Sequence, residues 1–314
     1  MPDWQLQTPV ALILFNRPHT TEQVFAAIRR AKPPQLFLIA DGPRDGKPGE
    51  PERCEQARAI VRQVDWDCEV RENFSAVNLG CGRRPATGID WVFEQVEEAI
   101  ILEDDCLPDP SFFRYCEELL NYYRHDERVM TIAGLNIQFG ENPVPYSYYF
   151  SHYGHCWGWA SWRRAWRHFD YDLKLWPEIR DRGRLHDVFG NDYAVKVWTH
   201  ALDLTYNKGL DCWDFQWMFA NWIQGGLATL PRQNLIHYIG YTEGATHTTS
   251  GASRYSELTT TPMSFPLQHP PYLVRHVAAD VYTENTYFDY QPSLWKRGNR
   301  KVRKLLGLPV AQSW

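Results

Sequence analysis

Three unbroken apolar runs punctuate the first third of the chain: Val10 to Phe15 within PVALILFNRP, Leu36 to Ala40, and Ala99 to Leu102. Runs this short, rich in strand formers and closed by turn residues, read as strands buried on both faces. Each ends on a polar group, in turn Asn16-Arg17-Pro18, Asp41-Gly42-Pro43 and Glu103-Asp104-Asp105. Helical patterns lie between them. Thr20-Thr21-Glu22 starts a helix carrying Val24, Phe25, Ala27 and Ile28, and further helices are predicted over Cys54 to Val64 and Pro85 to Val96. Cys68 to Glu72 is a shorter strand, and NLGCG (Asn78 to Gly82) is a glycine-rich turn. A helix from Pro108 to Tyr123 and a strand from Val129 to Ala133 complete the series.

This alternation predicts an α/β fold, with a mainly parallel sheet flanked by helices. Ligand crevices in such sheets open beyond the carboxyl ends of the strands. Arg17, Asp41 and the acidic triplet sit at three such ends, which points to one site. After Asn142 the texture changes and Tyr and Trp crowd in, so a soft boundary is expected near residue 150. The expected division is 1–150, 151–290 as a second half of the same domain, and a basic tail over 291–314. That tail carries Lys296, Arg297, Arg300, Lys301, Arg303 and Lys304 beside Leu305, Leu306 and Leu308. A solvated terminal helix has this pattern, and so does a segment lying on an anionic membrane surface.

Composition narrows the classes. With 314 residues and 44% apolar positions the chain is long enough for a sizeable core, and a net charge of −5 argues against nucleic acid as a partner. Fourteen Trp and 17 Tyr suit stacking on sugar faces as well as ordinary core packing. Seven cysteines without CxxC pairs suggest reduced thiols. The start MPDWQLQTP has neither a charged region nor a long apolar stretch, so a cytoplasmic chain without a signal peptide is expected.

Candidate chemistry starts at the triplet. Like charges packed at a sheet mouth need a cation to offset them, and Mg²⁺ or Mn²⁺ prefers carboxylate oxygens. A solvated acidic turn with capping duty would use the same residues. Asp41 suits a nucleobase or ribose contact, or a plain Asp-Gly turn; Arg17 suits phosphate or base, or open solvent. Asp214, among Trp213, Phe215 and Trp217, suits a general base or a helix cap, with Asp211 as a weaker rival. HYIGYTEGATH (His237 to His247) suits a loop that closes over phosphates, or an ordinary surface loop. Gly158 between Trp157 and Trp159 suits close approach to a flat ligand, or core packing.

Taken in order, strand–Asn-Arg-Pro, strand–Asp-Gly, strand–Glu-Asp-Asp, Gly-Trp-Ala, Trp-Asp and the Gly/Thr/His loop, the chain resembles the metal-dependent, inverting GT-A glycosyltransferases. The likeness is to the N-acetylglucosaminyltransferase I type and related bacterial family-2-like sugar transferases. It spans Pro9 to Thr249, and its most specific element is ILEDDCLPDPSFFRY. It implies a GT-A, Rossmann-like sheet with a nucleotide-sugar-binding half and an aromatic-rich acceptor-side half. It implies a UDP-linked donor, Mn²⁺ or Mg²⁺ as cofactor, and a carbohydrate or glycoconjugate acceptor in glycan biosynthesis. By the same resemblance Arg17 and Asp41 hold the nucleotide, with Asp41 on the uracil. Glu103 and Asp104 contact donor sugar and ribose, and Asp105 ligates the metal. Trp157, Gly158 and Trp159 line the donor sugar, Asp214 is the base, and His237, Thr246 and His247 belong to the loop over the diphosphate. Two features depart from the family. Phe215 stands where a second acid follows, and the membrane anchor and stem are missing, which points to a cytosolic enzyme whose peripheral membrane contact, at the inner face, would be made by the basic tail. A nucleotidyltransferase making nucleotide-sugars is the main alternative, but FNRPHTTEQ lacks the glycine-rich loop that would hold a triphosphate. A non-catalytic sugar-binding module or a glycoside hydrolase would leave the strand-end polar groups unexplained.

Overall fold

A computed structural model describes residues 4–142, 144–240 and 258–288. In chain order the first half runs β1 (Val10–Leu14), α1 (Pro18–Ala31), β2 (Gln35–Ala40), α2 (Glu50–Val61), β3 (Glu69–Phe74), α3 (Gly80–Phe93), β4 (Glu98–Glu103), β5 (Cys106–Pro108), α4 (Pro110–Tyr122) and β6 (Val129–Ala133). The second continues with β7 (Tyr148–Ser151), β8 (Trp159–Trp162), α5 (Arg163–Trp166), α6 (Trp176–Asp181), α7 (Leu185–Phe189), α8 (Asp192–Tyr206), α9 (Asp214–Ile223), β9 (Leu227–Pro231), β10 (Ile236–Tyr238) and α10 (Val277–Thr286).

The eight-stranded sheet has the order β3-β2-β1-β4-β8-β6-β9-β7. β3, β2, β1 and β4 are mutually parallel, and β9 is parallel to β6; β8 runs antiparallel between β4 and β6, and β7 antiparallel on β9. With helices on both faces this is a mixed α/β, Rossmann-like fold. Side chains alternate between the faces of a strand. Val10, Leu12, Leu36, Leu38, Ile100 and Leu102 therefore share one core with α1, α2 and α4. Ala11, Ile13, Phe37, Ile39, Ala99 and Ile101 share the other with α3, α5 and α9. Trp176, Trp198 and Trp222 centre a further cluster of α6 to α9. The sheet runs through the expected boundary at residue 150, because β8 from the second half lies between β4 and β6 of the first.

Three helices begin earlier than the pattern predicts. α1 starts at Pro18, whose fixed φ suits a first helical position. Thr21 turns its hydroxyl back onto the Arg17 carbonyl, 2.8 Å away. α2 starts at Glu50, after Gly49 at φ 72° and with a proline in its first turn. α3 starts at Gly80, five residues before Pro85. Its first amides are satisfied by carboxylates distant in sequence, which local pattern does not reveal. No helix among the described residues is long and apolar enough to cross a membrane. None of the seven cysteines forms a disulfide. The 291–314 tail lies outside the described residues.

Candidate active site

The acidic triplet closes β4 at the carboxyl edge of the sheet. Asp104 and Asp105 are buried, at 2% and 4% exposure, while Glu103 is half-buried. The β1–α1 turn supplies their counter-ion. Arg17 pairs with Asp104 and places Nη1 2.7 Å from Asp105 Oδ2. Asp104 also accepts from the Phe15 amide at 3.1 Å. Burial works against the charge on Arg17, yet Asp104 and Asp105 outweigh it and hold the guanidinium firmly protonated. The acids fare differently. Burial, then the charges of Asp105 and Asp104, push Glu103 up to about 8, with Asp214 adding to the effect and Arg17 opposing it. Burial likewise pushes Asp104 up to about 6 against the pull of Arg17. One guanidinium facing three carboxylates leaves the cluster short of positive charge.

The chain returns to cover this corner. β10 pairs antiparallel with β5, setting Tyr238 opposite Cys106 and His237 opposite Leu107. The Ile239 amide then bonds the Asp105 carbonyl at 2.8 Å. Gly240 follows so closely that a Cβ there would sit 2.5 Å from Asp105 Oδ2 and 2.5 Å from the Tyr238 hydroxyl, so only glycine passes. The Tyr238 ring stacks on half-buried Trp157, with centroids 4.2 Å apart and planes 12° from parallel. Gly158 takes φ 65°, and a Cβ on it would collide with Ile236, so the turn out of Trp157 also needs glycine. Trp159 does not line this opening. It is fully buried among Trp166, Trp213 and Trp217 as the first residue of β8, and the positive-φ turn at Gly158 separates it from Trp157, so the two do not share a face. Tyr238 escaped the sequence reading as a site residue; its neighbourhood depends on the β5–β10 pairing. His237 is half-buried with Nδ1 2.9 Å from the Leu258 carbonyl oxygen. Thr246 and His247 lie outside the described residues.

Asp41 is held by the turn that leads into α3. Its Oδ1 accepts from the Gly42 and Leu79 amides, both at 2.9 Å, and its Oδ2 from the Gly80 amide and the Asn78 side chain, both at 3.0 Å. A carboxylate offers about four acceptor positions, and with these bonds Asp41 anchors the start of α3. Asp211 holds the same turn from the other side, accepting from the Gly82 amide at 3.0 Å. The residues after Asp211 lead into α9, whose first residue is Asp214, with Trp213 at the cap position. Half-buried Asp214 acts electrostatically on Glu103 and on Cys156, and burial with these two acids drives the Cys156 thiol well above its usual range. Asp214 and Cys156 thus lie near enough to Glu103 for their charges to be felt across the site.

The triplet fits a hard divalent cation. Such ions usually take one or two protein carboxylates and complete their shell with water and ligand phosphates. Asp105 and Asp104 supply that number, and among the described residues no group of three or more His, Cys, Asp or Glu side chains forms a cage of its own. A cavity of about 460 Å³ opens elsewhere, beside β7, lined by Tyr146, Tyr149, Tyr272 and His276. It lies four strand spacings from β4, or roughly 19 Å, and no carboxylate lines it.

No family model matches the chain, and no curated protein matches it. Among solved structures it is similar to a 4-diphosphocytidyl-2C-methyl-D-erythritol synthase from Anaerococcus prevotii, at 11% identity and a TM-score of 0.29, over 44% of this chain and 58% of that one. It is also similar to a UDP-glucose pyrophosphorylase complexed with UDP-glucose, at 10% identity and a TM-score of 0.24, over 46% of this chain and 62% of that one. The chain thus spans under two thirds of either structure, and a likeness this slight carries no argument about chemistry.

Proposed function

We propose that this protein is a metal-dependent, inverting glycosyltransferase that moves a sugar from a UDP-linked donor to a hydroxyl of a glycan or glycoconjugate. The observation that carries the reading is the buried Asp104-Asp105 pair at the end of β4, short of positive charge, with half-buried Asp214 near enough to act electrostatically on Glu103 beside it. Asp105, with Asp104 beside it, would hold Mn²⁺ or Mg²⁺. Bound there, the cation supplies Lewis-acid stabilisation of the departing diphosphate.

The chain's own residues carry the rest. The acceptor oxygen attacks the anomeric carbon from the face opposite the diphosphate, and a new C–O bond forms as the bond to the phosphate oxygen breaks. The bonding electrons leave with the diphosphate, and Asp214 takes the acceptor proton. Glu103 offers its carboxyl group to a donor hydroxyl. The Trp157–Tyr238 stack walls the sugar side and keeps water from competing. The short β1–α1 turn favours this reading over nucleotidyl transfer, since only Phe15 to Arg17 separate the two elements.

A thermal-shift panel of nucleotide-sugars with and without Mn²⁺ tests the reading. A ligand at a hundred times its Kd stabilises a folded protein by about 2.7 kcal/mol. UDP-sugars are expected to raise the melting temperature only with Mn²⁺, and Asp105→Ala to abolish that gain. Full Mn²⁺-dependent binding by Asp105→Ala would sink it. Pyrophosphate release from UTP and a sugar 1-phosphate would instead establish nucleotidyl transfer.

A further inference from the structure

We propose that Arg17 is a resident counter-ion that competes with the divalent cation for Asp105, so that metal and donor diphosphate enter this site together rather than separately. The inference rests on the glycosyl-transfer reading and adds a binding order to it. Arg17 Nη1 lies 2.7 Å from Asp105 Oδ2, and the other arm of the same guanidinium pairs with Asp104. The two carboxylates that would hold the cation are therefore already bridged. The Gly240 backbone also crowds Asp105 Oδ2, since a Cβ built on it would sit 2.5 Å from that oxygen. A cation approaching that oxygen competes with the Arg17 guanidinium for it.

Arg17 has somewhere to go. Its side chain is 25% exposed, whereas Asp104 and Asp105 keep 2% and 6% of theirs. It precedes α1 at the cap position, so a rotation of its long side chain moves the guanidinium without disturbing the helix. A guanidinium and a divalent cation crowded onto one carboxylate pair repel each other. A diphosphate removes the conflict: it brings negative oxygens for Arg17, whose planar fork suits phosphate, and further ligands for the cation. Each ligand then favours the other, and the coupling is reciprocal.

The test is Mn²⁺ binding to the whole chain, read from the free-ion signal in electron paramagnetic resonance, with and without UDP and corrected for the Mn²⁺–UDP complex formed without protein. Wild type is expected to bind Mn²⁺ weakly alone and about tenfold or more tightly with UDP. Arg17→Gln is expected to bind Mn²⁺ alone more tightly than wild type and to lose most of the UDP-dependent gain. Arg17→Lys, whose single ammonium does not bridge both carboxylates, is expected to fall between them. Mn²⁺ binding that is no tighter in Arg17→Gln, or a UDP gain that persists there, overturns the role of Arg17 and leaves the glycosyl-transfer reading standing. If Arg17→Gln does not fold, wild type still decides, because equal Mn²⁺ affinity with and without UDP overturns the competition. Absence of Mn²⁺ binding by wild type under both conditions overturns the metal-dependent reading itself, and the inference with it.

Discussion

Glu103 and His155 show what burial does to two kinds of titratable side chain. Each resists the charged form when it loses water, so the Glu103 carboxyl is pushed up to about 8 and the His155 imidazole down to about 4. His155 is 6% exposed, and its Nε2 has no hydrogen-bond partner. Because its folded value lies below the ordinary 6.5, its neutral form contributes stability above pH 6.5. That contribution is lost as pH falls from 6.5 through about 4, at a cost on the order of 3 kcal/mol. His155→Phe retains an aromatic ring beside Tyr287, whose centroid is 5.4 Å away, and removes the titration. Urea denaturation at pH 7, 5 and 4 should show a shallower acid loss in the variant. A slope equal to that of wild type would refute this account of His155.

At the scale of elements, the start of α3 ties the end of β2 to the segment that leads into α9. Asp41 at the end of β2 and Asp211 before α9 both accept from its first amides. The two acids differ in burial: Asp41 is 6% exposed, whereas Asp211 lies at the surface. Asp41→Ala strips the half-buried Leu79 and Gly80 amides of their acceptor, so it should cost about 3 kcal/mol. Asp211→Ala should cost about 1 kcal/mol, as loss of an exposed cap does. Chemical denaturation checks the ranking, and equal costs would contradict it. Asp211→Ala should also speed hydrogen exchange at the Gly82 amide, which loses its acceptor.

For the molecule as a whole, the placement of β8 decides how divisible the chain is. A fragment ending at residue 150 keeps β4 and β6 but lacks the strand that lies between them. It would expose the edges of both strands and one face of the hydrophobic core. Such a fragment is expected to aggregate or stay unfolded, as circular dichroism and size-exclusion chromatography would show. A monomeric fragment with a cooperative melt would contradict a fold built on one shared sheet.

The parts that could be read directly are those whose signal is local and strong. β1, β2 and β4 are buried on both faces, so their segments are continuous apolar runs, and each ends on polar residues where a parallel sheet opens its crevice. The triplet and Arg17 were legible as candidates for that reason. β7, β8 and β9 were not, because four- and five-residue strands in an aromatic-rich stretch carry too few turns of pattern to separate strand from core helix. The same limit hid the partner of each polar group. Asp41 and the α3 amides lie nearly forty residues apart, and Asp211 and Gly82 about 130. The sequence by itself determined which strands line the crevice and which charges stand at their ends. Only the tertiary structure decided that Asp41 is occupied by backbone amides, that Trp159 belongs to the core while Tyr238 reaches the triplet, and that Arg17 bridges the two buried acids. The physical reason is that burial and pairing depend on neighbours brought together by the sheet, which no local pattern encodes.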